Sequence, residues 1–422
     1  MIHVHSRAWW RATLALCLGS FLVFLNLYVP QPLLPELRAG YGVSTLAANL
    51  AMSLATLSLA GALLVFGPLS DAIGRGGIMR LTLLLGGGLS LLLAWAPDFG
   101  MLLALRVVQG FALGGLPAVA IAWMGDEFER SAMLPAVGLY IAANSLGGIG
   151  GRVLGGWVAD IAGVAASFQL VGALTLLGVA GFWWLLPPAR GFAPRRFRLA
   201  GALGDLRGHL ATPALRGAYL LGGLNFLVFI NLYSYLTFRL AAAPFALDTR
   251  WLGLLFLTYL GGTLASALAG RLARRVSPPA CMAGGTLLMM LGILLTLSTR
   301  LEAILAGLVL AAFGFFLAHA MASGWVSRQA RHARGSASAL YLVFYYLGAS
   351  LGGAWLEPFW RAAAWPGVVA GAGLVLAVTL GLALRLRRWH RPRGAADQEV
   401  AAASASSPQT SSRRSERPQA AL

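Results

Sequence analysis

The strongest constraint in this sequence is that it nearly repeats itself at half its length. Phe21-Leu22-Val23-Phe24-Leu25-Asn26-Leu27-Tyr28 returns 205 residues later as Phe226-Leu227-Val228-Phe229-Ile230-Asn231-Leu232-Tyr233. Tyr140, Ser145, Leu146, Gly147 and Gly148 align at the same offset with Tyr345, Ser350, Leu351, Gly352 and Gly353. Gly110-Phe111 aligns with Gly314-Phe315 at an offset of 204. A period held at three separated places marks a duplicated unit. The chain is also 58% hydrophobic and only 11% charged, whereas soluble chains carry about a quarter charged residues. Two related halves this apolar predict a membrane transporter built from a repeat.

A bilayer core of ~30 Å takes ~20 apolar residues per helix. Runs of that kind predict six helices near 11–34, 44–66, 77–96, 101–123, 133–157 and 163–186. Six more are predicted near 215–238, 250–270, 279–298, 302–325, 335–357 and 364–386. The expected fold class is an all-α membrane protein, with twelve transmembrane helices in two pseudo-symmetric six-helix bundles. The expected organisation is an N-terminal bundle over 1–186, a cytoplasmic linker over 187–214, a C-terminal bundle over 215–389 and a disordered cytoplasmic tail over 390–422. The linker carries Arg190, Arg195, Arg196, Arg198 and Arg207, a pattern drawn to anionic lipid headgroups. The tail is rich in Ala, Ser, Pro and Arg and cannot bury enough apolar area to offset ordering entropy. Arg7 and Arg11 precede the first apolar run as in a signal peptide, but no small-residue cleavage site follows. That run reads as an uncleaved membrane helix.

The formal net charge is +18, and every basic residue is Arg. With the N-terminus placed in the cytoplasm, twenty-five arginines fall in the N-terminal segment, the loops on that side and the C-terminal tail. Five fall on the opposite side: Arg38, Arg239, Arg250, Arg300 and Arg361. This asymmetry fits the positive-inside rule with both ends cytoplasmic, and it argues against nucleic acid as the partner. Cys17 and Cys281 have neither metal-site spacing nor support as a disulfide. No metal or cofactor is expected, and no phosphate-binding Gly-x-x-x-x-Gly-Lys loop is present to use ATP.

The loop after the second helix reads Gly67-Pro68-Leu69-Ser70-Asp71-Ala72-Ile73-Gly74-Arg75-Gly76-Gly77. It resembles the signature loop of the major facilitator superfamily, with Gly67, Leu69, Ser70, Asp71, Gly74 and Arg75 matching and Ala72 and Gly76 replacing usual basic residues. Asp71 near a helix end can pair with Arg or with helix N-terminal N–H groups of the opposite half, a gate that holds one side shut. The matching loop of the second half, Gly270-Arg271-Leu272-Ala273-Arg274-Arg275, has lost its acid. Arg106-Val107-Val108-Gln109-Gly110 resembles the family's fourth-helix motif. There the resemblance implies that Arg106 and Gln109 take part in proton coupling or orient cavity groups. The alternative is an Arg that snorkels to the outer interface.

The fifth helix reads Asn144-Ser145-Leu146-Gly147-Gly148-Ile149-Gly150-Gly151-Arg152-Val153-Leu154-Gly155. It resembles the family's glycine motif, with Gly151-Arg152 where antiporters usually carry Gly-Pro. Gly147, Gly151 and Gly155 recur at i+4 as a smooth stripe for close helix packing. Asn144, Gly148 and Arg152 form a second stripe. A buried Arg152 can hold an anionic or carboxylate-bearing substrate, or it can sit at the outer surface pairing with Asp160. The first helix supplies Asn26, Tyr28 and Gln31. Asn26 and Tyr28 are repeat-related to Asn231 and Tyr233. These four are candidate cavity residues; the bland reading is interhelical hydrogen bonding.

The run from Tyr28 to Pro35, with Gly151-Arg152, is similar to a bacterial branch of the superfamily described as YnfM-like or arabinose-efflux-like drug–proton antiporters. No carboxylate lies mid-helix. Glu36 is the candidate proton site, and His319 is a titratable group that more often only packs. The expected function is secondary active transport of a small molecule across the bacterial inner (plasma) membrane by alternating access. Proton-coupled efflux of a drug-like compound or sugar leads. Uptake of an anionic metabolite, or a transport-dead sensor, are the alternatives. The family expectation is a monomer.

Overall fold

The computed structural model describes residues 1–192, 199–330 and 332–389. The expected tail at 390–422 and linker residues 193–198 therefore lie outside the described residues. Ten helical segments are long and apolar enough to cross a membrane among those described. Two of the ten are 56 residues long and fold back on themselves, so the described residues make twelve crossings.

The first bundle contains α1 (Arg7–Tyr28), the short α2 (Leu34–Tyr41), α3 (Thr45–Ile73), α4 (Arg75–Leu93), α5 (Phe99–Leu113), α6 (Gly115–Glu127) and α7 (Arg130–Leu185). Three of these helix starts, α1, α3 and α5, carry side-chain caps. Ser6 accepts from the Trp9 N–H at 3.1 Å, Ser44 from Ala47 at 3.1 Å and Asp98 from Met101 at 2.8 Å. Each satisfies a backbone donor that the first turn leaves without a partner. The first helix stops at Tyr28, six residues before the sequence predicts. Pro30 and Pro32 lack the N–H groups a continued helix needs, and the chain restarts as α2.

The second bundle contains α9 (Pro213–Ala241), α10 (Thr249–Leu254), a 3-10 turn (Leu255–Thr258), α11 (Tyr259–Leu272), α12 (Pro278–Leu295), α13 (Leu301–Gln329) and α14 (Arg334–Leu386). Between the bundles lies α8 (Leu199–Ala211), a helix in the stretch read from sequence only as linker. The linker starts on the first bundle, where the buried Glu127 carboxylate accepts from the N–H groups of Arg190 and Gly191, each at 2.8 Å.

Two helix pairs that the sequence separates are joined with almost no loop. In α7 the backbone leaves helical geometry at Gly163 (φ 85°, ψ 167°). Ser167 then donates to the Gly155 carbonyl at 2.8 Å, which closes a hairpin around that glycine. In α14 the break is at Ala363 and Ala364, and Trp355 donates to the Gly371 carbonyl at 3.1 Å. Both reversals join the fifth and sixth crossings of their half, as the duplication requires.

The repeat also shows in packing. A Cβ built on Gly147 or Gly151 would overlap the carbonyl oxygen of Phe21 or Leu25, so α7 rides directly on the α1 backbone. In the second half a Cβ on Gly352 would lie 2.5 Å from the Leu227 carbonyl oxygen, setting α14 on α9 in the same way. Large apolar groups such as Leu134, Trp184 and Leu177 are exposed on the outer surface, as expected of a protein whose solvent there is lipid.

Candidate functional site

The N-terminus and the last described residue, Trp389, lie at one end of the molecule, the terminal end; the opposite end is the distal end. The polar links between the bundles cluster in the distal half. Gln31 donates to the Ile230 carbonyl at 2.9 Å and to Ser234 Oγ at 3.0 Å. Asn49 of α3 donates to Asn231 Oδ1 of α9 at 2.9 Å. Thr56 and Ser350 meet at 3.0 Å. Thr249 donates to Glu36, and Arg250 pairs with Asp160 at 3.6 Å. Gly156 permits this closure, because a Cβ there would lie 2.6 Å from the Thr249 carbonyl oxygen.

Arg152 sits in this seam and is 1% exposed. Its Nε donates to Gln31 Oε1 at 2.7 Å and its Nη1 to the Gly148 carbonyl at 2.8 Å. The guanidinium carbon lies 3.9 Å from the Tyr28 ring centre, 4.6 Å from Phe256 and 5.0 Å from Tyr259. Those rings come from both bundles, and their faces offset part of the cost of burying the charge. Arg152 Nη2 and the Tyr259 hydroxyl are buried without a hydrogen-bond partner among the described residues. Asp160, the surface partner considered from sequence, is taken by Arg250 instead. A carboxylate entering beside Nη2 would meet a free, desolvated N–H of a guanidinium, the geometry that charge-assisted recognition uses.

Arg106 has a different setting. It is fully buried, so it does not snorkel. Its Nε donates to the Ala51 carbonyl at 2.9 Å, Nη1 to the Asn26 carbonyl at 3.2 Å and Nη2 to the Leu27 carbonyl at 2.8 Å. Asn26 and Leu27 end α1, where the last carbonyls have no helical partner and the helix dipole is negative. Gln109 accepts from Arg106 Nη1 at 2.5 Å and donates to Ser90 Oγ at 3.1 Å and the Gly86 carbonyl at 3.2 Å. The two residues tie α1, α3, α4 and α5 together beneath the seam.

The remaining cavity candidates divide. Asn26 is turned into the first bundle, where it donates to Thr175 and accepts from Ser90, each at 2.7 Å. Its repeat mate Asn231 faces the seam at Asn49. Asn144 accepts from Ser20 within the α1–α7 contact. Tyr233 lies one layer behind Arg152, stacked on Phe256 at 5.2 Å with its hydroxyl 2.7 Å from Thr258. Gly155 faces Val29. His319 meets the Tyr341 hydroxyl at 2.9 Å and stacks on Phe315. The stretch read from sequence as a loop after the second helix is the last turns of α3, with only Gly74 between α3 and α4; there Asp71 pairs with Arg75 at 2.8 Å, and Arg75 also binds Asp126. These contacts stay within the first bundle. Ser70 donates to the Gly67 carbonyl at 2.7 Å, and Gly74 adopts φ 93° to turn the chain into α4. Leu69 is exposed.

Sequence reasoning missed Asn49, Thr249, Phe256 and Tyr259. Subtracting 205 from the last two gives Ala51 and Leu54, so the seam aromatics are departures from the repeat rather than instances of it. The same offset pairs Arg152 with Glu357, a buried carboxylate that accepts from Tyr235 at 2.9 Å. Opposite charges at repeat-related positions were a readable signal for a specialised seam.

The sequence profile of the Major Facilitator Superfamily matches residues 16–353. The chain belongs to the major facilitator superfamily. Among its superfamily relatives, the uncharacterized MFS-type transporter YybF of Bacillus subtilis (strain 168) is 36% identical over 379 residues, covering 90% of this chain and 94% of YybF. The inner membrane transport protein YnfM of Escherichia coli (strain K12) is 36% identical over 381 residues, covering 90% of this chain and 91% of YnfM. Among solved structures, a bacterial homolog of the human lysosomal transporter Spinster, inward-facing and unoccupied, superposes with a TM-score of 0.67 at 16% identity, covering 90% of this chain and 96% of that one. A D-xylose–proton symporter superposes with a TM-score of 0.70 at 16% identity, covering 89% and 96%. This superfamily member shares with them the fold.

Proposed function

We propose that the protein is a secondary active transporter of a bacterial inner membrane that exports a small drug-like compound or sugar in exchange for protons. The observation that carries this reading is the clustering of inter-bundle polar links at the distal end. Two rigid bundles that touch through breakable polar contacts at one end suit alternating access, in which the seam opens as the other end closes. With both termini cytoplasmic, as the arginine distribution favours, the seam closes the outward side in this conformation. Glu36 supports the proton reading, since it is a carboxylate that bonds across the seam to Thr249. Its protonation would remove a charge-assisted link and couple proton movement to opening. Arg106 fits a positioning role better than a coupling one, because its donors are engaged by backbone carbonyls.

The test is flux in inverted vesicles, whose lumen corresponds to the outside. Export demands accumulation when the lumen is acid, loss of it with a protonophore, and loss of the pH dependence in Glu36→Gln. Accumulation that ignores the proton gradient would remove the coupling, and none under any gradient would remove export.

Asp71 is proposed to form a gate that closes the terminal end in the opposite state. Asp71→Asn is expected to slow flux about tenfold, the equivalent of one charge-assisted hydrogen bond. Thermal stability should hold, because the Asp71 side chain is 47% exposed here and its ion pair contributes little. Unchanged flux would dispose of the gate.

A second reading is favoured by Arg152 alone. Its unpartnered Nη2 supports a substrate bearing a carboxylate, carried in either direction. Arg152→Ala should then weaken that substrate's binding by about 10- to 100-fold, the range for a hydrogen bond to a charged group. Equal binding of the carboxylate and its methyl ester to the parent protein would sink this reading.

A further inference from the structure

The second-half counterpart of the gating loop takes no part in the seam, and its chemistry points elsewhere. A groove of about 480 Å³ opens where α11 ends, between α11 and α13. That volume falls within the ~300–1,000 Å³ of small-ligand sites. Its rim is Arg271, Arg274 and Arg275, and its floor includes Leu268, Phe313 and Leu317. No carboxylate among the described residues pairs with any of the three arginines. The first bundle answers its Arg75 with Asp71 and Asp126; the second has three cations and no such answer.

The groove faces the lipid side of the bundle. Leu257, Leu260 and Leu264 are 43%, 53% and 57% exposed. Leu268 and Arg271 continue their row at i+4 and i+3, the spacing of one helix face. On α13, Val309 is 43% exposed and Phe313 follows it by one turn. An apolar track along the membrane that ends in uncompensated arginines at the helix terminus matches one ligand chemistry: a negatively charged headgroup attached to acyl chains.

We propose that this groove binds one anionic phospholipid, its phosphate held by Arg271, Arg274 and Arg275 and an acyl chain lying over Leu268 and Phe313. The lipid supplies to the second bundle the negative charge that Asp71 and Asp126 supply to the first. The loop 273–277 is thereby braced by a component of the membrane.

The proposal is tested on the purified full chain in detergent, titrated with dioleoyl-phosphatidylglycerol and followed by native mass spectrometry and thermal unfolding. One phosphatidylglycerol should be retained per chain, with a rise in unfolding temperature that dioleoyl-phosphatidylcholine does not give. The triple variant Arg271→Gln/Arg274→Gln/Arg275→Gln should bind about a hundredfold more weakly, from the combined loss of three near-surface cations. If that variant does not fold, Arg274→Gln alone should bind about fivefold more weakly. Equal retention of phosphatidylcholine, undiminished binding by the variants, or the same stabilisation by inorganic phosphate alone would each overturn it. None of these outcomes depends on what the protein transports.

Discussion

Replacing Gly151 with Val is expected to prevent recovery of folded, monodisperse protein, or to lower its unfolding temperature more than any other single change considered. A Cβ at this position would overlap the Leu25 carbonyl oxygen and lie 2.9 Å from the Leu25 Cα. Both are backbone atoms, so no rotamer change relieves the clash, and α1 and α7 must separate. Overpacking costs about 1–3 kcal/mol where side chains can yield, and more where they cannot. Neighbouring substitutions sharpen the test. At Gly150 a methyl group would make ordinary van der Waals contact with the Phe21 ring edge at 3.4 Å and the Leu25 side chain at 3.8 Å, and at Gly61 it would meet nothing within 4 Å. Gly150→Ala should be close to neutral, and Gly61→Ala should gain up to about 1 kcal/mol of helix stability. Thermal unfolding in detergent and size-exclusion recovery read all three. A Gly151→Val protein as stable as the parent would mean the two helices are not held backbone to backbone.

Arg106→Leu is the second large effect. It strands the Asn26 and Leu27 carbonyls at the end of α1 and removes a donor from Gln109. A buried group left without its partner costs about 1–3 kcal/mol, and lipid offers no water to replace it. Deleting the guanidinium also removes a buried charge with no carboxylate beside it, which moderates the loss. The expected net is a fall of several kcal/mol in stability, with flux lost in parallel. Arg106→Lys should fall between, because an ammonium keeps the charge but cannot fork to three carbonyls from two helices. If the Leu variant unfolds at the parent's temperature, water or rearranged backbone already serves those carbonyls.

These two residues also show what could be read before the structure. The i+4 spacing of Gly147, Gly151 and Gly155 marks a smooth stripe in any apolar helix, and an Arg inside an apolar run announces that something must face it. Neither tells which helix or which atoms. Arg106 meets backbone carbonyls, and a carbonyl has no letter in a sequence. Crossing number and helix positions were legible because lipid imposes a length on every span. The ends were less so. Apolar content alone carried the first helix through Pro30 and Pro32, where hydrogen bonding breaks it. Asn26 and Asn231 read alike and do different work: one bonds within its bundle, the other across to Asn49. Duplication preserves letters, whereas each half has since met different neighbours. The second-half partners of Arg152, Phe256 and Tyr259, were invisible for the same reason, lying where the second half no longer copies the first.

The single-residue turn at Gly163 and its two-residue counterpart at Ala363 and Ala364 carry a mechanical consequence. Each welds two crossings into one stiff bracket with no slack between the arms. A force applied to the arm that carries Arg152 is felt at once by its partner. Neither arm can slide alone along its axis, which leaves tilting of the whole assembly as the soft degree of freedom. Lengthening either joint with a few flexible residues would let the arms slip, and so convert a lever into a loose hinge.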